Sequence, residues 1–221
     1  YYNAGQTCIA PDYLLVHEDV KARLIIHLID YIRQFYGDNP QASKDYGRII
    51  NKSRFNTLIN YLEGGKILYG GRSDVDDLYI EPTLLECKGL DKTIMNEEIF
   101  GPLLPIISYK KIEDVVTIVR RNRYPLALYL FTNNKSIERH IIKNIEFGGG
   151  CINNSLLHVI NPRLPFGGVG TSGMGSYHGK YSFDTFSHYK SVLKAHAQHD
   201  MPLRYPPYSE KILKLVKKVM K

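Results

Sequence analysis

YLLVHEDVKARLIIHLIDYIRQFYG, residues 13–37, changes its hydrophobic period within a few positions. Tyr13-Leu14-Leu15-Val16 is a short apolar run of strand length. From about Asp19 to Tyr36 the apolar residues recur at helical spacing. Val20, Leu24, Leu28, Tyr31 and Phe35 fall on one face, and Gly37 is the stop. A strand feeding directly into a long amphipathic helix is the first half of a βαβ unit, and the rest of the chain is read outward from it.

Downstream, Ser53 is placed to cap a second helix with Phe55, Leu58, Ile59 and Leu62 inside, ended by Gly64-Gly65. Ile67–Tyr69, Thr83–Leu85, Leu104–Tyr109, Ala127–Phe131 and Gly149–Asn153 are strand-like. Glu113–Arg121 and Ser136–Ile145 are helical. This rhythm predicts an α/β fold, a mostly parallel sheet covered by helices. Pro162–Gly179 loses periodicity in a Gly-rich loop, Ser182–Lys194 reads as extended, and Met201–Tyr208 is a Pro-punctuated linker. Ser209–Lys221 is a final helix with Ile212, Leu213, Leu215, Val216, Val219 and Met220 on one face and lysines on the other. Such a helix suits docking on protein better than an anionic membrane surface, and at 13 residues it cannot span one.

The 221 residues are 43% hydrophobic and 23% charged, which excludes a disordered chain. The net charge of +7 is uneven: residues 1–179 carry 20 basic and 19 acidic side chains, residues 180–221 carry 9 and 3. A neutral body with a basic tail argues against a nucleic-acid-binding domain. Three scattered cysteines, Cys8, Cys87 and Cys151, make neither a disulfide framework nor a zinc knuckle, and with no secretory signal they fit a reducing cytoplasm. The chain opens at Tyr1-Tyr2-Asn3, without Met, against its most reactive-looking segment; it is expected to be part of something longer.

Three segments carry candidate chemistry. Asn3-Ala4-Gly5-Gln6-Thr7-Cys8 ends a polar turn in a cysteine just before a strand, where converging backbone N–H groups favour a thiolate able to attack carbonyl carbon. The alternative is a small buried apolar residue. Asn96-Glu97-Glu98-Ile99-Phe100-Gly101-Pro102 sets a carboxylate two residues before an aromatic, suited to a ribose diol beside a flat heterocycle; the alternative is an ordinary acidic turn. Within Pro165–Gly175, residues 168–173 match G-x-G-x-x-G. No strand leads in, no amphipathic helix leads out, and His188 stands where an acidic ribose ligand belongs, so a dinucleotide fingerprint is rejected in favour of a tight glycine loop. His196-x-x-His199-Asp200 has metal-like spacing without a third ligand, and no metal is expected. A Cys8–His178 hydrolase dyad has no spacing to support it.

Taken together and in this order, NAGQTCIAPD at 3–12, EEIFGP at 97–102, PFGGVGTSGMG at 165–175 with Tyr177-His178-Gly179, and Phe186-Ser187-His188 resemble the aldehyde dehydrogenase superfamily. Ala-Pro-Asp-Tyr after Cys8, Ser-Tyr-His-Gly at 176–179 and Arg204-Tyr205-Pro206-Pro207 point to its class-3, fatty-aldehyde-type branch. The resemblance implies a catalytic domain over residues 1–186, an oligomerisation strand and linker over 187–208, the amphipathic helix over 209–221, and a homodimer. It implies Cys8 as nucleophile, with its own N–H holding part of the oxyanion, an aldehyde as substrate and NAD or NADP as cofactor. Glu98 would bind the nicotinamide-side ribose, with Phe100 beside it, and Phe166 and His158 would line the substrate entrance. The family's general-base glutamate, its second oxyanion donor and its N-terminal cofactor-binding domain lie ahead of the cysteine. The resemblance therefore implies a half-enzyme that needs its missing N-terminal half, inactive alone as a dehydrogenase. The alternatives are a partner-dependent half-domain without activity and a cofactor-independent Cys8 thiol esterase.

Overall fold

The strand and helix read from residues 13–37 form as β1 (Leu14–His17) and α1 (Glu18–Tyr36) in a computed structural model that describes residues 1–87, 93–121, 124–196 and 204–220. The His17 ring accepts the Asp19 N–H at 3.4 Å, Glu18 and Asp19 occupy the first turn, and Gly37 at φ 76° ends the helix by donating to the Arg33 carbonyl. The buried stripe of α1 differs from the expected one. Leu24, Ile25, Leu28, Ile29, Ile32 and Tyr36 pack inward, while Val20, Tyr31 and Phe35 are exposed. Apolar residues surround much of this helix, so two rotations satisfy the period, and the Leu24–Leu28–Ile32 row wins by reaching the sheet.

The second helix, α2 (Lys52–Tyr61), is capped by Asn51, whose Oδ1 accepts the Arg54 N–H at 2.9 Å; Ser53, the expected cap, lies inside the first turn. Phe55, Leu58 and Tyr61 form its buried face. Next come β2 (Lys66–Tyr69), the short ribbon β3 (Ser73–Asp74) and β4 (Tyr79–Ile80), β5 (Thr83–Glu86) and β6 (Leu103–Tyr109). The main sheet has the order β1-β6-β5-β2, parallel except for edge strand β2. Side chains alternate across it. Leu84 and Ile106 face the α1 cluster, whereas Leu85, Leu103 and Ile107 face α2 with Phe55, Leu58 and Ile99.

The helix α3 (Ile112–Arg121), strand β7 (Ala127–Leu130), helix α4 (Lys135–Asn144) and strand β8 (Gly149–Ile152) complete the α/β pattern, with β7 and β8 a parallel pair. Val116, Val119, Ile141 and Ile145 pack with Leu128 and Leu130 beneath them. Residues expected to be extended from Ser182 instead begin inside a helix, α5 (Gly179–Thr185). The Ser182 hydroxyl accepts the His178 N–H at 2.9 Å and Lys180 pairs with Asp184 one turn on, so local side chains hold a turn that hydrophobic pattern does not announce.

Two compact units emerge, Tyr1–Phe186 and Ser187–Lys221. In the second, residues 187–196, part of the segment expected to serve oligomerisation, are neither strand nor helix in the single chain. The final helix, α6 (Glu210–Val219), is capped by the Ser209 hydroxyl. No helix among the described residues is long and apolar enough to cross a membrane.

Candidate active site

The segment before Cys8 is folded under strain. Residues Tyr2–Gly5 make a 3-10 turn in which Asn3 and Ala4 both sit at φ 52° and Gly5 at φ 73°. Ala4 and Gly5 are buried, yet Cys8 emerges exposed as a free thiol. Non-glycine residues at positive φ cost of order 1–3 kcal/mol each, and they persist only where surrounding contacts fix them. Those contacts are present. The Tyr1 hydroxyl donates to the Thr83 carbonyl of β5 at 2.8 Å. The Gln6 amide donates to the Arg48 carbonyl at 2.9 Å, and its oxygen accepts the Ile50 N–H at 2.9 Å. The Tyr129 hydroxyl of β7 donates to the Ile9 carbonyl at 2.7 Å. The Cys8 N–H makes no hydrogen bond to a described residue and is free to meet an oxyanion beside the sulfur.

The second motif lies directly against the first. A Cβ on Gly5 would stand 2.1 Å from the Gly101 carbonyl oxygen, so the cysteine loop and the Glu98–Gly101 turn touch backbone to backbone. Phe100 takes φ 45° and leaves its ring partly open to solvent. The turn is held by Arg54, which donates to the Glu98 carbonyl at 2.7 Å and also to the Ile99 carbonyl. From the cysteine side, Asp12 accepts the Ile99 N–H at 2.8 Å. The Glu98 carboxylate makes no hydrogen bond to a described residue; burial raises its pKa and Arg54 partly opposes the rise.

Asp12 gives this junction a pH dependence. Burial, the largest cause, raises its carboxyl from 3.8 to about 6, with Glu98 adding and the Ile99 N–H opposing. Between those values the folded chain binds a proton that the unfolded chain has lost. Stability from this group is therefore fully present at low pH and falls as pH rises through that window. Asp12→Asn keeps an oxygen for the Ile99 N–H and removes the buried charge. The variant is expected to be more stable at about pH 7.5 by about 1–2 kcal/mol, with a flatter profile down to about pH 4. Urea titrations at both ends test this, and no gain at the upper pH would contradict it.

The expected substrate-lining residues meet in an aromatic cluster. His158 is buried, its Nδ1 is 3.7 Å from the Cys151 Sγ, and its ring centroid lies 5.8 Å from Tyr129 and 5.9 Å from Phe166. Burial disfavours the charged form of the His158 ring and lowers its pKa. Phe166 exchanges both backbone hydrogen bonds with Tyr177 and stacks on His178. His178 is thus committed to Phe166 and Tyr177, with its buried Nδ1 unpartnered, and no hydrogen bond joins it to Cys8. The glycine loop closes on itself: a Cβ at Gly167 would stand 2.2 Å from the Gly175 carbonyl oxygen, and one at Gly168 2.1 Å from that of Ser172. Of the His196-x-x-His199-Asp200 spacing, His199 and Asp200 lie outside the described residues.

Sequence reasoning singled out Cys8, Glu98, Phe100, Phe166 and His158. Cys8, Glu98 and Phe100 are brought together by the Gly5–Gly101 contact, and Tyr129 links that group to His158 and Phe166. Arg54, Gln6, Asp12, Tyr129 and Cys151 were missed. Arg54 and Tyr129 stand in ordinary helix and strand patterns, and no local signal marks them. Gln6 and Asp12 lay within the quoted motif and were available to be read.

Residues 1–192 match the pattern of the "Aldehyde dehydrogenase family". The chain is 49% identical to 4,4'-diaponeurosporen-aldehyde dehydrogenase of Staphylococcus aureus over 96% of its own length and 46% of that protein. It is 44% identical to human aldehyde dehydrogenase family 3 member B1, over 98% of its length and 47% of that protein. Among solved structures, the substrate-bound state of Staphylococcus aureus AldH superposes with a TM-score of 0.87 at 48% identity, covering 99% of this chain and 48% of that one. Glyceraldehyde-3-phosphate dehydrogenase GapN of Methanocaldococcus jannaschii, complexed with NADP, gives 0.73 at 30% identity, covering 84% and 41%. The chain spans about half the length of the curated relatives it matches. With the cysteine loop, the Glu98–Phe100 turn and the aromatic cluster set together on this fold, the chain belongs to the aldehyde dehydrogenase family, and its relatives include the class-3 branch.

Proposed function

We propose that this chain is the nucleophile-bearing half of an NAD(P)-dependent aldehyde dehydrogenase that oxidises aldehydes to carboxylic acids through Cys8. One observation carries the reading: an exposed thiol on a strained, buried loop whose Gly5 lies against Gly101 of the turn bearing Glu98 and Phe100. The Glu98–Phe100 turn suits the ribose and flat ring of a nicotinamide cofactor, because a carboxylate without a described hydrogen-bond partner stands two residues from a partly open aromatic ring.

The Cys8 thiolate attacks the aldehyde carbon, forming a C–S bond, and the Cys8 N–H receives the resulting oxyanion. Bound NAD(P)+ supplies the acceptor for the hydride that leaves the same carbon. Water then adds to the Cys8 thioester, the C–S bond breaks, and the acid departs as the thiol is restored. His158, Phe166 and Tyr129 offer the aldehyde an aromatic, largely apolar wall, which favours medium-to-long aliphatic or aromatic chains.

Because the curated relatives are about twice as long, the 221-residue chain by itself is expected to give no NADH from hexanal above background. Mixing it with the complementary half of a class-3 relative is expected to restore turnover. Turnover by the chain alone at the rate of a full-length relative would refute the half-enzyme reading. The free, exposed Cys8 also supports a cofactor-independent thiol esterase as a second reading, which predicts steady hydrolysis of an activated ester.

A further inference from the structure

Tyr129 and Cys151 are register partners in β7 and β8, so their side chains share one face of that pair. The Tyr129 hydroxyl donates to the Ile9 carbonyl at 2.7 Å, one residue beyond Cys8. The Leu156 backbone N–H acts on the same phenol, opposing the rise in its pKa. Leu156, at φ 65°, opens the short turn Leu157–Val159 that carries His158. One tyrosine therefore touches two loops: its hydroxyl bonds the one bearing the nucleophile, and its ring packs on the one bearing the aromatic wall. A hydroxyl is needed for the first of these contacts, since only it can donate to the Ile9 carbonyl. Burial, more than the nearby Cys151 and Cys8, pushes the phenol to about 12, so it stays protonated wherever a thiolate is at work. The His158 ring, 5.8 Å away, packs against the tyrosine.

We propose that Tyr129 is a positioning residue whose hydroxyl is the joint holding the Cys8 loop in register with the His158 segment that lines the aldehyde's path. It touches no reacting atom and acts through Ile9 and His158. The inference rests on Cys8 being the nucleophile and adds how that nucleophile is aimed. Phenylalanine at this position keeps the ring packing on His158 but leaves the Ile9 carbonyl without the phenol donor.

The test is peptide-mapped alkylation of the 221-residue chain by iodoacetamide, wild type against Tyr129→Phe. Buried Cys87, directed at the Gly64 carbonyl, reports whether the variant is folded. The Cys8 rate is expected to fall about fivefold while Cys87 stays protected. A Cys8 rate within about twofold of wild type, with Cys87 protected, overturns the joint. Should Cys87 open in the variant, the wild-type chain decides. Its Val159 amide, bonded to the Leu156 carbonyl in the turn that carries His158, is expected to exchange with deuterium at least about tenfold more slowly than an open loop amide, and free exchange overturns the proposal. A wild-type Cys8 no faster than a cysteine in an unstructured peptide counts against the nucleophile reading instead. A reactive Cys8 indifferent to Tyr129 counts against the joint alone.

Discussion

Cys8→Ser is expected to lower covalent capture of an activated acyl donor at this site by about a thousandfold or more. The change is nearly isosteric, so the exposed position should tolerate it with no loss of stability. What it removes is chemistry. A thiol furnishes an appreciable thiolate fraction near neutral pH, and sulfur is intrinsically nucleophilic. A serine hydroxyl stays protonated there unless a base abstracts its proton, and no hydrogen bond joins residue 8 to His178. The measurement is mass spectrometry after incubation with p-nitrophenyl acetate. The wild-type chain should gain an acyl group on the Cys8 peptide, and the variant none on that timescale. An acyl group found instead on Cys151 would move the nucleophile to the thiol beside His158. Once the chain is complemented with a relative's other half, the same substitution should abolish aldehyde oxidation. The esterase reading makes a different forecast from the half-enzyme reading: continuous ester turnover rather than a single acylation event. The two are separated by following product beyond one equivalent.

The parts of this site that were legible in the sequence are those dictated within a few residues. Gly5 ahead of Cys8 and the run Phe100-Gly101-Pro102 announce backbone that departs from strand and helix, and both segments do so, at φ 73° and 45°. The period change between Val16 and Val20 announces β1 and α1 because burial selects for it locally. What the sequence could not disclose is which distant backbone those loops rest upon. Nothing around Tyr129 distinguishes it from a tyrosine packed in an ordinary strand; its role appears only when β7 delivers its hydroxyl to the Ile9 carbonyl. Arg54 likewise reads as a helix-surface cation, although it ties down two carbonyls of the Glu98 turn. The rotation of α1 was unreadable for a related reason. Two apolar stripes compete on that helix, and only the sheet surface, built from residues much later in the chain, chooses between them.

Gly5→Ala is expected to be the most damaging single methyl group in this part of the molecule, destabilising the chain by about 3–4 kcal/mol. Two costs combine at this position. At φ 73° an alanine meets the left-handed penalty, about 1 kcal/mol. Its Cβ would also stand 2.1 Å from the Gly101 carbonyl oxygen and 2.6 Å from the carbonyl carbon, and these are backbone atoms that cannot rotate away. Other glycines separate the two costs. Gly37 has φ 76° with ψ −177°, backbone nearly confined to glycine, and nothing within 4 Å of a built Cβ, so Gly37→Ala isolates a dihedral penalty of about 1–3 kcal/mol. Gly101 lacks a positive φ, but its Cβ would stand 2.4 Å from the Leu58 Cδ2. That obstacle is the end of a side chain that can shift, at about 1–3 kcal/mol for overpacking. Urea unfolding of the three variants should therefore rank Gly5 worst, with Gly101 and Gly37 both milder. If Gly5→Ala cost no more than Gly37→Ala, the backbone approach between the cysteine loop and the Glu98 turn would not be what fixes the site. Cys8 alkylation supplies the functional half of the comparison. Gly5→Ala must part the two loops and slow labelling of Cys8, whereas Gly37→Ala, at the far end of α1, must leave it unchanged even where it lowers stability. A fall in Cys8 reactivity common to both would trace to general loosening, and a fall confined to Gly5 assigns it to the contact with Gly101.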